Sequence, residues 1–330
     1  MRGRTWRLVR FLVPILILLL ALAACATAAT PTPQPAKPPL TFAYDLWPGY
    51  YPVLIANEKG FFTEAGVQVN AIKPEDTDSM MTDFNAGKYD GIAIALGDIV
   101  GLTQINPDIR VIFISDESAG GDAVVASADI QEVEDLRGQR LSVNLGGFAE
   151  LFVTTMLEEH GLTPNDVTLV DTDAAEVPGR LSSGDIQAGH TWEPYVAQAV
   201  DEGSHVLFTS AQTPGLIPDA IAFRGETVRE RPEEVRAFVQ GWFRAVDYWK
   251  ANPEEGTALA AKALNIAPEE ISLEGIRLLT LSDNQSLFQP GETTASLYHT
   301  AQLYVDFFAR IGTIRTPPKL DELLDPSFLK

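Results

Sequence analysis

The sequence contains a single cysteine, Cys25, and four histidines among 330 residues. One thiol excludes a disulfide scaffold, a zinc site of the cysteine type and a thiol nucleophile elsewhere in the chain. The histidines are scattered without the spacing of metal ligands, and only His190, which lies close to Trp192, stands near another candidate residue. The sequence therefore predicts neither a bound metal nor a cofactor.

Hydrolase motifs and an excess of basic residues are also missing. The chain has no Gly-x-Ser-x-Gly nucleophile elbow and no His-Glu-x-x-His zinc pattern. Its 24 Lys and Arg stand against 45 Asp and Glu, for a formal net charge of −21. Such an acidic chain repels nucleic acid and anionic lipid, whereas it suits a small-molecule partner that is neutral or cationic.

The apolar run near the amino terminus, residues 11–22, is too short for a membrane span and fits the h-region of a signal peptide. Four arginines precede it, and small residues lead from it directly into Cys25. This arrangement resembles the bacterial lipobox, which implies that residues 1–24 are a lipoprotein signal peptide and that Cys25 is acylated. The alternatives are an ordinary secretory signal with a chance cysteine and a short amino-terminal membrane anchor.

Residues 25–40 are rich in alanine, threonine and proline, so they are predicted to form a flexible tether. Acyl chains on Cys25 would insert into the lipid bilayer and hold the folded body at the extracytoplasmic face of the cell membrane.

Strand-like and helix-like stretches alternate along the rest of the chain. Strands are predicted at 40–44, 67–70, 91–95, 111–114, 140–143 and 167–170, with a further strand-to-helix unit at 188–200. Helices are predicted at 51–62, 77–86 and 150–160, and after about residue 223 only helices are expected, at 233–251, 253–264, 274–281 and 294–311. Four aromatic residues in this last part, Trp242, Phe243, Tyr248 and Trp249, have helical spacing and are predicted to pack in the core.

This alternation predicts an α/β protein with two mainly parallel sheets joined by right-handed crossovers. The length of the chain also favours two lobes over one domain. A ligand would then bind in the cleft between the lobes, where the carboxyl ends of parallel strands face each other.

Six short segments resemble bacterial ABC-transporter solute-binding proteins of the branch that binds sulfonates, taurine, nitrate and thiamine pyrimidines. They are DLWPGY at 45–50, IANEKGFF at 55–62, GKYDG at 87–91, DLRGQRL at 135–141, GDIQA at 184–188 and WEP at 192–194. The resemblance implies a two-lobed periplasmic-binding-protein fold of type II, with lobe one at 41–122 and 221–330 and lobe two at 123–220. It also implies delivery of the ligand to a membrane permease and no chemistry on the ligand, and we expect the protein to be a monomer.

Candidate ligand-binding residues lie just past the carboxyl ends of the predicted strands. They are Asp45, Trp47, Tyr50, Asp98, Asn144, Phe148, Glu150, Trp192 and Glu193. The loop at 144–150 contains no Lys, Arg, His, Ser or Thr, and Glu150 and Glu193 would repel a sulfonate or nitrate. This departs from what the anion-binding members of the family lead one to expect.

Aromatic rings beside acidic and amide groups indicate a neutral, flat heteroaromatic vitamin or vitamin precursor. Riboflavin is the first choice, because a large ring bearing a polyol suits several stacking residues and many acceptors. A thiamine-type aminopyrimidine is the second, and a small anion such as sulfonate, taurine or nitrate is the remaining alternative.

Each candidate also has a structural interpretation. Trp47 and Trp192 could pack between helix and sheet, Asp98 could cap the helix that follows it, and Glu150 could be a solvated helix residue. Among other classes, an extracytoplasmic sensor or a lipid-anchored enzyme stays open. The related thiamine-pyrimidine synthases depend on a cysteine-rich stretch, which this sequence lacks.

Overall fold

Two mixed β-sheets, each flanked by helices, organise the part of the chain that the computed structural model describes, residues 37–330. The predicted signal peptide, Cys25 and most of the predicted tether lie outside these residues. None of the helices within 37–330 is long and apolar enough to cross a membrane.

The first sheet has the strand order β11-β4-β10-β3-β1-β2, and the second has the order β7-β6-β8-β5-β9. The first comprises β1 (Leu40–Tyr44), β2 (Val69–Ile72), β3 (Gly91–Ala95), β4 (Ile109–Ser118), β10 (Pro218–Arg224) and β11 (Ile276–Leu278). The second comprises β5 (Asp122–Ala126), β6 (Arg140–Val143), β7 (Thr168–Asp171), β8 (Ala188–Trp192) and β9 (His205–Thr209).

Helices cover the faces of both sheets. In chain order they are α1 (Pro52–Glu58), α2 (Phe61–Ala65), α3 (Thr77–Asn85), α4 (Leu96–Leu102), α5 (Phe148–Glu159), α6 (Val177–Ser182), α7 (Tyr195–Asp201), α8 (Gly225–Glu230), α9 (Pro232–Ala251), α10 (Pro253–Leu264), α11 (Leu281–Leu287), α12 (Leu297–Ile311) and α13 (Leu320–Leu323).

Strand directions are more mixed than the sequence predicts. β1 pairs parallel with β2 and β3, and β6 pairs parallel with β7 and β8. The other pairings, β10 with β3 and β4, β11 with β4, and β5 with β8 and β9, are antiparallel. Each sheet therefore combines a parallel half with an antiparallel half, because β4, β5 and β10 lie on the paths between the two sheets.

The predicted helix at 274–281 is wrong. Gly275 has a φ of +70°, which is incompatible with a continuous right-handed helix. Residues 276–278 instead form β11 against 116–118 of β4, and helix α11 starts only at Leu281. Because β11 lies in the carboxyl-terminal part, the prediction that this part is purely helical is also wrong. A strand of three residues is too short for its sequence pattern to be recognised.

The core of the first sheet is aromatic and lies beneath helix α9. Phe238 packs against Phe42 with ring centroids 4.8 Å apart, and Trp242 packs against Phe113 at 5.3 Å. Trp242, Phe243 and Trp249 are buried and Tyr248 is partly buried, which confirms the predicted core role of this cluster.

Two segments carry the chain between the sheets, 119–121 on the way out and 210–217 on the way back. Asp122 thus belongs to the second sheet and residues 218–220 to the first. Side-chain and backbone groups tie the crossings together: Gly120 N–H donates to Ser210 Oγ at 2.7 Å, and Ser118 Oγ lies 2.8 Å from the same oxygen. The carbonyl oxygen of Gly275 accepts from the N–H groups of residues 119 and 121, at 2.7 and 3.0 Å.

Candidate functional site

A small pocket lies between the two sheets, at the edge where β1 and β3 end and β10 begins in the first sheet, and where β8 ends and β5 begins in the second. Its volume is about 70 Å³. The lining residues are Asp45, Leu46, Trp47, Tyr50, Thr77, Ile94, Ala95, Asp98, Asp122, Phe148, Trp192, Ile217 and Asp219. Parallel strands end here and antiparallel strands begin here, so both kinds of strand contribute side chains to one edge.

Six of the nine residues proposed from sequence line this pocket: Asp45, Trp47, Tyr50, Asp98, Phe148 and Trp192. The other three do not. Asn144 is exposed, Glu150 Oε2 accepts from the N–H of Gly146 at 2.7 Å, and Glu193 Oε2 accepts from the N–H of Ala197 at 3.2 Å. Both glutamates therefore stabilise local backbone at the amino-terminal ends of helices.

Two buried carboxyl groups in the pocket, Asp122 and Asp219, are not among the nine residues proposed from sequence. Each lies near the start of an antiparallel strand: Asp122 opens β5 and pairs with Trp192, and Asp219 is the second residue of β10 and pairs with Ala95. A search that considers only positions following strands misses them. The available signal was an aspartate directly before an apolar run, at 122 and at 219.

The first-sheet wall is held by a buried hydrogen-bond network behind the pocket. Trp47 Nε1–H donates to Asp116 Oδ1 at 2.8 Å, Ser115 Oγ donates to Asp116 Oδ2 at 2.7 Å, and the Tyr50 hydroxyl donates to Asp219 Oδ1. A Cβ on Gly49 would lie 1.9 Å from Asp116 Oδ2, so only glycine fits in this turn. Asp116 therefore fixes the orientation of the Trp47 indole.

Burial changes the protonation of this network. Burial raises the pKa of Asp116 to about 7, although hydrogen bonds from Trp47 and Ser115 oppose the rise. Burial also raises the pKa of Asp219 well above its usual range, and the neighbouring Asp116 adds to the effect. Because Asp116 and Asp219 are buried next to each other, ionising both carboxyl groups is costly, and the pair holds a proton near neutral pH.

The second-sheet wall is aromatic. Phe148 and Trp192 have ring centroids 6.4 Å apart, and His190 lies 5.8 and 5.9 Å from them. His190 Nε2 is 3.0 Å from Asp122 Oδ1, and both side chains are almost fully buried. The Asp122 carboxylate thus fixes the imidazole and leaves the aromatic wall well supported.

Asp98 joins the two walls. It lies in the first turn of α4, yet its Oδ1 accepts from the backbone N–H of Phe148, the first residue of α5, at 3.3 Å. The expectation that Asp98 caps its own helix is therefore wrong, since its bond runs to a helix over the other sheet. Burial raises the pKa of Asp98 to about 7; the bond from Phe148 opposes the rise, and Asp45, Asp78 and Asp122 add to it.

The charge of the pocket has one sign. Asp45, Asp98, Asp122 and Asp219 line it, and among the described lining residues there is no Lys, Arg or His. A bound sulfonate or nitrate would face these carboxyl groups without a countercharge. The pocket is suited to a ligand that donates hydrogen bonds or carries a positive charge.

We expect the stability of the ligand-free protein to fall as the pH rises from about 5 to about 8. Asp98 and Asp116 have a pKa near 7 when folded against 3.8 ordinarily, so between these values the folded state binds more protons than the unfolded state. The free energy of unfolding should decrease by about 2–3 kcal/mol for each of the two groups across this range. Urea titrations at several pH values measure it, and Asp116→Asn should flatten the slope. A stability that rises over the same range would contradict the assignment.

In sequence the chain is similar to binding proteins and to a group of synthases. A family model described as NMT1/THI5 like matches residues 47–256. A putative aliphatic sulfonates-binding protein of Bacillus subtilis (strain 168) is 26% identical over 215 residues, or 63% of this chain and 65% of that protein. The 4-amino-5-hydroxymethyl-2-methylpyrimidine phosphate synthase THI13 of Saccharomyces cerevisiae is 23% identical over 222 residues, or 62% and 65% of the two chains. The match thus spans somewhat less than two thirds of each relative.

Among solved structures, the periplasmic aliphatic sulphonate binding protein SsuA from Escherichia coli has a TM-score of 0.71 to this chain. The sequences are 14% identical, and the match covers 87% of this chain and 92% of that one. This likeness confirms the two-sheet α/β fold of the periplasmic binding proteins that the sequence predicts.

Proposed function

Since the chain belongs to the NMT1/THI5-like family, we propose that it is the solute-binding component of an ABC importer, taking up a flat, nitrogen-containing ring compound. In this proposal the two sheets with their helices are two lobes, divided at the crossings, that close on the ligand and present it to a membrane permease. The relative from Bacillus subtilis supports a binding role through its name.

The single observation that carries the ligand class is the sign of the pocket charge. Four carboxyl groups line it and no basic side chain does so among the described residues. Ring N–H groups, amino groups or a protonated ring nitrogen would pair with these acceptors, while an anion would be repelled. A small anion such as sulfonate, taurine or nitrate is therefore the weaker alternative.

Pocket size supports the smaller of the two heteroaromatic candidates. The volume of about 70 Å³ is small beside the roughly 300–1,000 Å³ of typical small-molecule sites. Riboflavin, with three fused rings and a polyol chain, exceeds this space by far more than a single ring does. We therefore favour the thiamine-type aminopyrimidine, a single ring that could stack on Trp192 and Phe148 while its amino group faces Asp122 or Asp219.

The location follows from Cys25, if it is acylated as the lipobox resemblance implies. The lipid would hold the protein at the outer face of the cell membrane, within reach of a permease, and a flexible tether would allow the cleft to turn toward it.

An enzymatic role is the alternative from a different class, because the yeast relative is named as a pyrimidine phosphate synthase. Our proposal of a binder rests on the cysteine content, since Cys25 is the only thiol and no cysteine-rich stretch exists in the sequence.

Mild denaturation of the protein purified from its own host, followed by ultraviolet spectroscopy and mass spectrometry of the released material, tests this function. We expect a colourless compound with the absorption of an aminopyrimidine. A yellow, fluorescent extract would instead favour riboflavin as the ligand. A co-purified sulfonate would contradict the inference that the acidic pocket repels anions.

A further inference from the structure

Asp98 is the pocket residue that physically connects the two proposed lobes. Its carboxyl group comes from α4 beside the first sheet, and its Oδ1 holds the N–H of Phe148, where α5 begins beside the second sheet. Its other oxygen makes no hydrogen bond within the described residues, and the side chain lines the pocket. One carboxyl group can therefore contact the opposite lobe and the ligand at the same time.

Glycines on both sides allow the close approach. A Cβ on Gly147 would lie 2.6 Å from Asp98 Oδ1, and a Cβ on Gly97 would lie 2.9 Å from the Cβ of Phe148. Separation of the lobes would break this contact and expose Asp98 to water, whereas closure encloses it.

Several charged or titratable groups face Asp98 when the cleft is closed. Asp45 and Asp78 approach from the first lobe, Asp122 approaches from the second, and Tyr304 of α12 lies on the remaining side. No positive side chain appears among the described residues that line the pocket. An ionised Asp98 in the closed cleft would thus stand among like charges, with one backbone N–H as its donor.

The other buried acids of the site do not bridge the lobes. Asp116 and Asp219 bond within the first lobe, and Asp122 bonds to His190 within the second. The ion pair of Arg310 with Glu158 does join α12 to α5, at 3.3 Å, but it is exposed and contributes little.

We propose that Asp98 gates closure by charge: the cleft closes over this carboxyl only when it is protonated or paired with a positively charged group of the ligand. The proposal rests on the ligand class inferred above. In the free protein, acid closes the cleft and a rise in pH opens it. A cationic ring then takes the place of the proton, which passes to solvent as the carboxylate pairs with the ligand.

Distance measurements between two spin labels test the gate. Lys73 and Ala175 are exposed and follow the ends of β2 and β7, so Lys73→Cys with Ala175→Cys reports on the opening between the lobes. Because Cys25 is the only native cysteine, Cys25→Ser in the full chain makes labelling specific. The ligand-free protein should shift toward the longer distance by at least about tenfold in population ratio between about pH 5.5 and about pH 8.5.

Two variants define the extremes. Asp98→Asn keeps an oxygen acceptor without a charge, so it should stay closed at both pH values. Gly147→Ala should remain open at both, because its added Cβ clashes with Asp98. The proposal is contradicted if the unsubstituted protein shows the same distance at both pH values. It is also contradicted if Asp98→Asn opens with rising pH as strongly as the unsubstituted protein does.

A final arm adds 4-amino-5-hydroxymethyl-2-methylpyrimidine at about pH 7, where part of the ring is protonated, and it should shift the population toward the shorter distance relative to the ligand-free protein at the same pH. Binding of the compound without closure would contradict the proposal that the charge of the ligand replaces the proton on Asp98. If this compound fails to bind, the proposed ligand class falls, whereas the ligand-free measurements still decide whether Asp98 gates closure.

Discussion

Gly275→Ala is expected to lower the free energy of unfolding by about 3 kcal/mol or more. Gly275 has a φ of +70°, and its Cβ would lie 2.4 Å from the backbone nitrogen of Gly121. The neighbour is backbone in the crossing between the sheets, so it cannot move aside as a flexible side chain could. The substitution should therefore displace the segment that joins the sheets as well as strain its own residue.

Gly60→Ala is the matched control for this prediction. Gly60 has nearly the same φ, +73°, but no atom lies within 4 Å of its Cβ position. Only the conformational cost should remain, about 1 kcal/mol. Chemical denaturation of both variants measures the difference. Equal losses would mean that the close packing of the crossing contributes nothing to stability.

Trp192→Ala is expected to weaken ligand binding by about 2 kcal/mol, or about 30-fold in dissociation constant. Trp192 lines the pocket, is only partly buried and lies against Phe148 and His190, so its ring offers a face to a flat ligand. Calorimetric titration with the aminopyrimidine measures the effect.

Trp192→Phe is the control, because it keeps an aromatic ring at the same position. It should retain most of the affinity, and both variants should melt within a few degrees of the unsubstituted protein. If the alanine variant binds as tightly as the unsubstituted protein, Trp192 does not contact the ligand. Its role would then be packing between helix and sheet, the structural interpretation given in the sequence analysis.

The sequence predicts the fold well wherever pattern and length agree. The strands at 40–44, 91–95 and 140–143 and the helix at 253–264 match the structure residue for residue, because each is bounded by clear turn residues or a proline. The β2 strand, predicted at 67–70 and found at 69–72, is less apolar and its ends are less defined.

Strand direction could not be predicted from the same pattern. A buried apolar run such as residues 221–223 has the same pattern in either direction, and only the path of the chain between the sheets makes β10 antiparallel to β3. Two of the four acidic pocket residues, Asp122 and Asp219, lie at the beginnings of antiparallel strands. Because strand direction could not be predicted, neither residue could be placed in the pocket from sequence. Asp116 could not be identified for a different reason. The local sequence around an aspartate within β4 does not indicate that it accepts a hydrogen bond from the distant Trp47 indole.

Glu150 and Glu193 illustrate the opposite case, since neither lines the pocket. Both follow strands in sequence, as a ligand-binding residue would, but each bonds to backbone near a helix start and points its carboxylate at a local donor. The argument that acidic groups oppose an anion then rests on the four aspartates that line the pocket, in place of these glutamates.

Isothermal titration calorimetry on the ligand-free protein at neutral pH tests the central claim most directly, by comparing 4-amino-5-hydroxymethyl-2-methylpyrimidine with taurine and nitrate. The acidic, aromatic pocket predicts a dissociation constant of about 1 μM or lower for the aminopyrimidine and no measurable heat for either anion. Tight binding of taurine or nitrate, with no binding of the aminopyrimidine, would contradict the account.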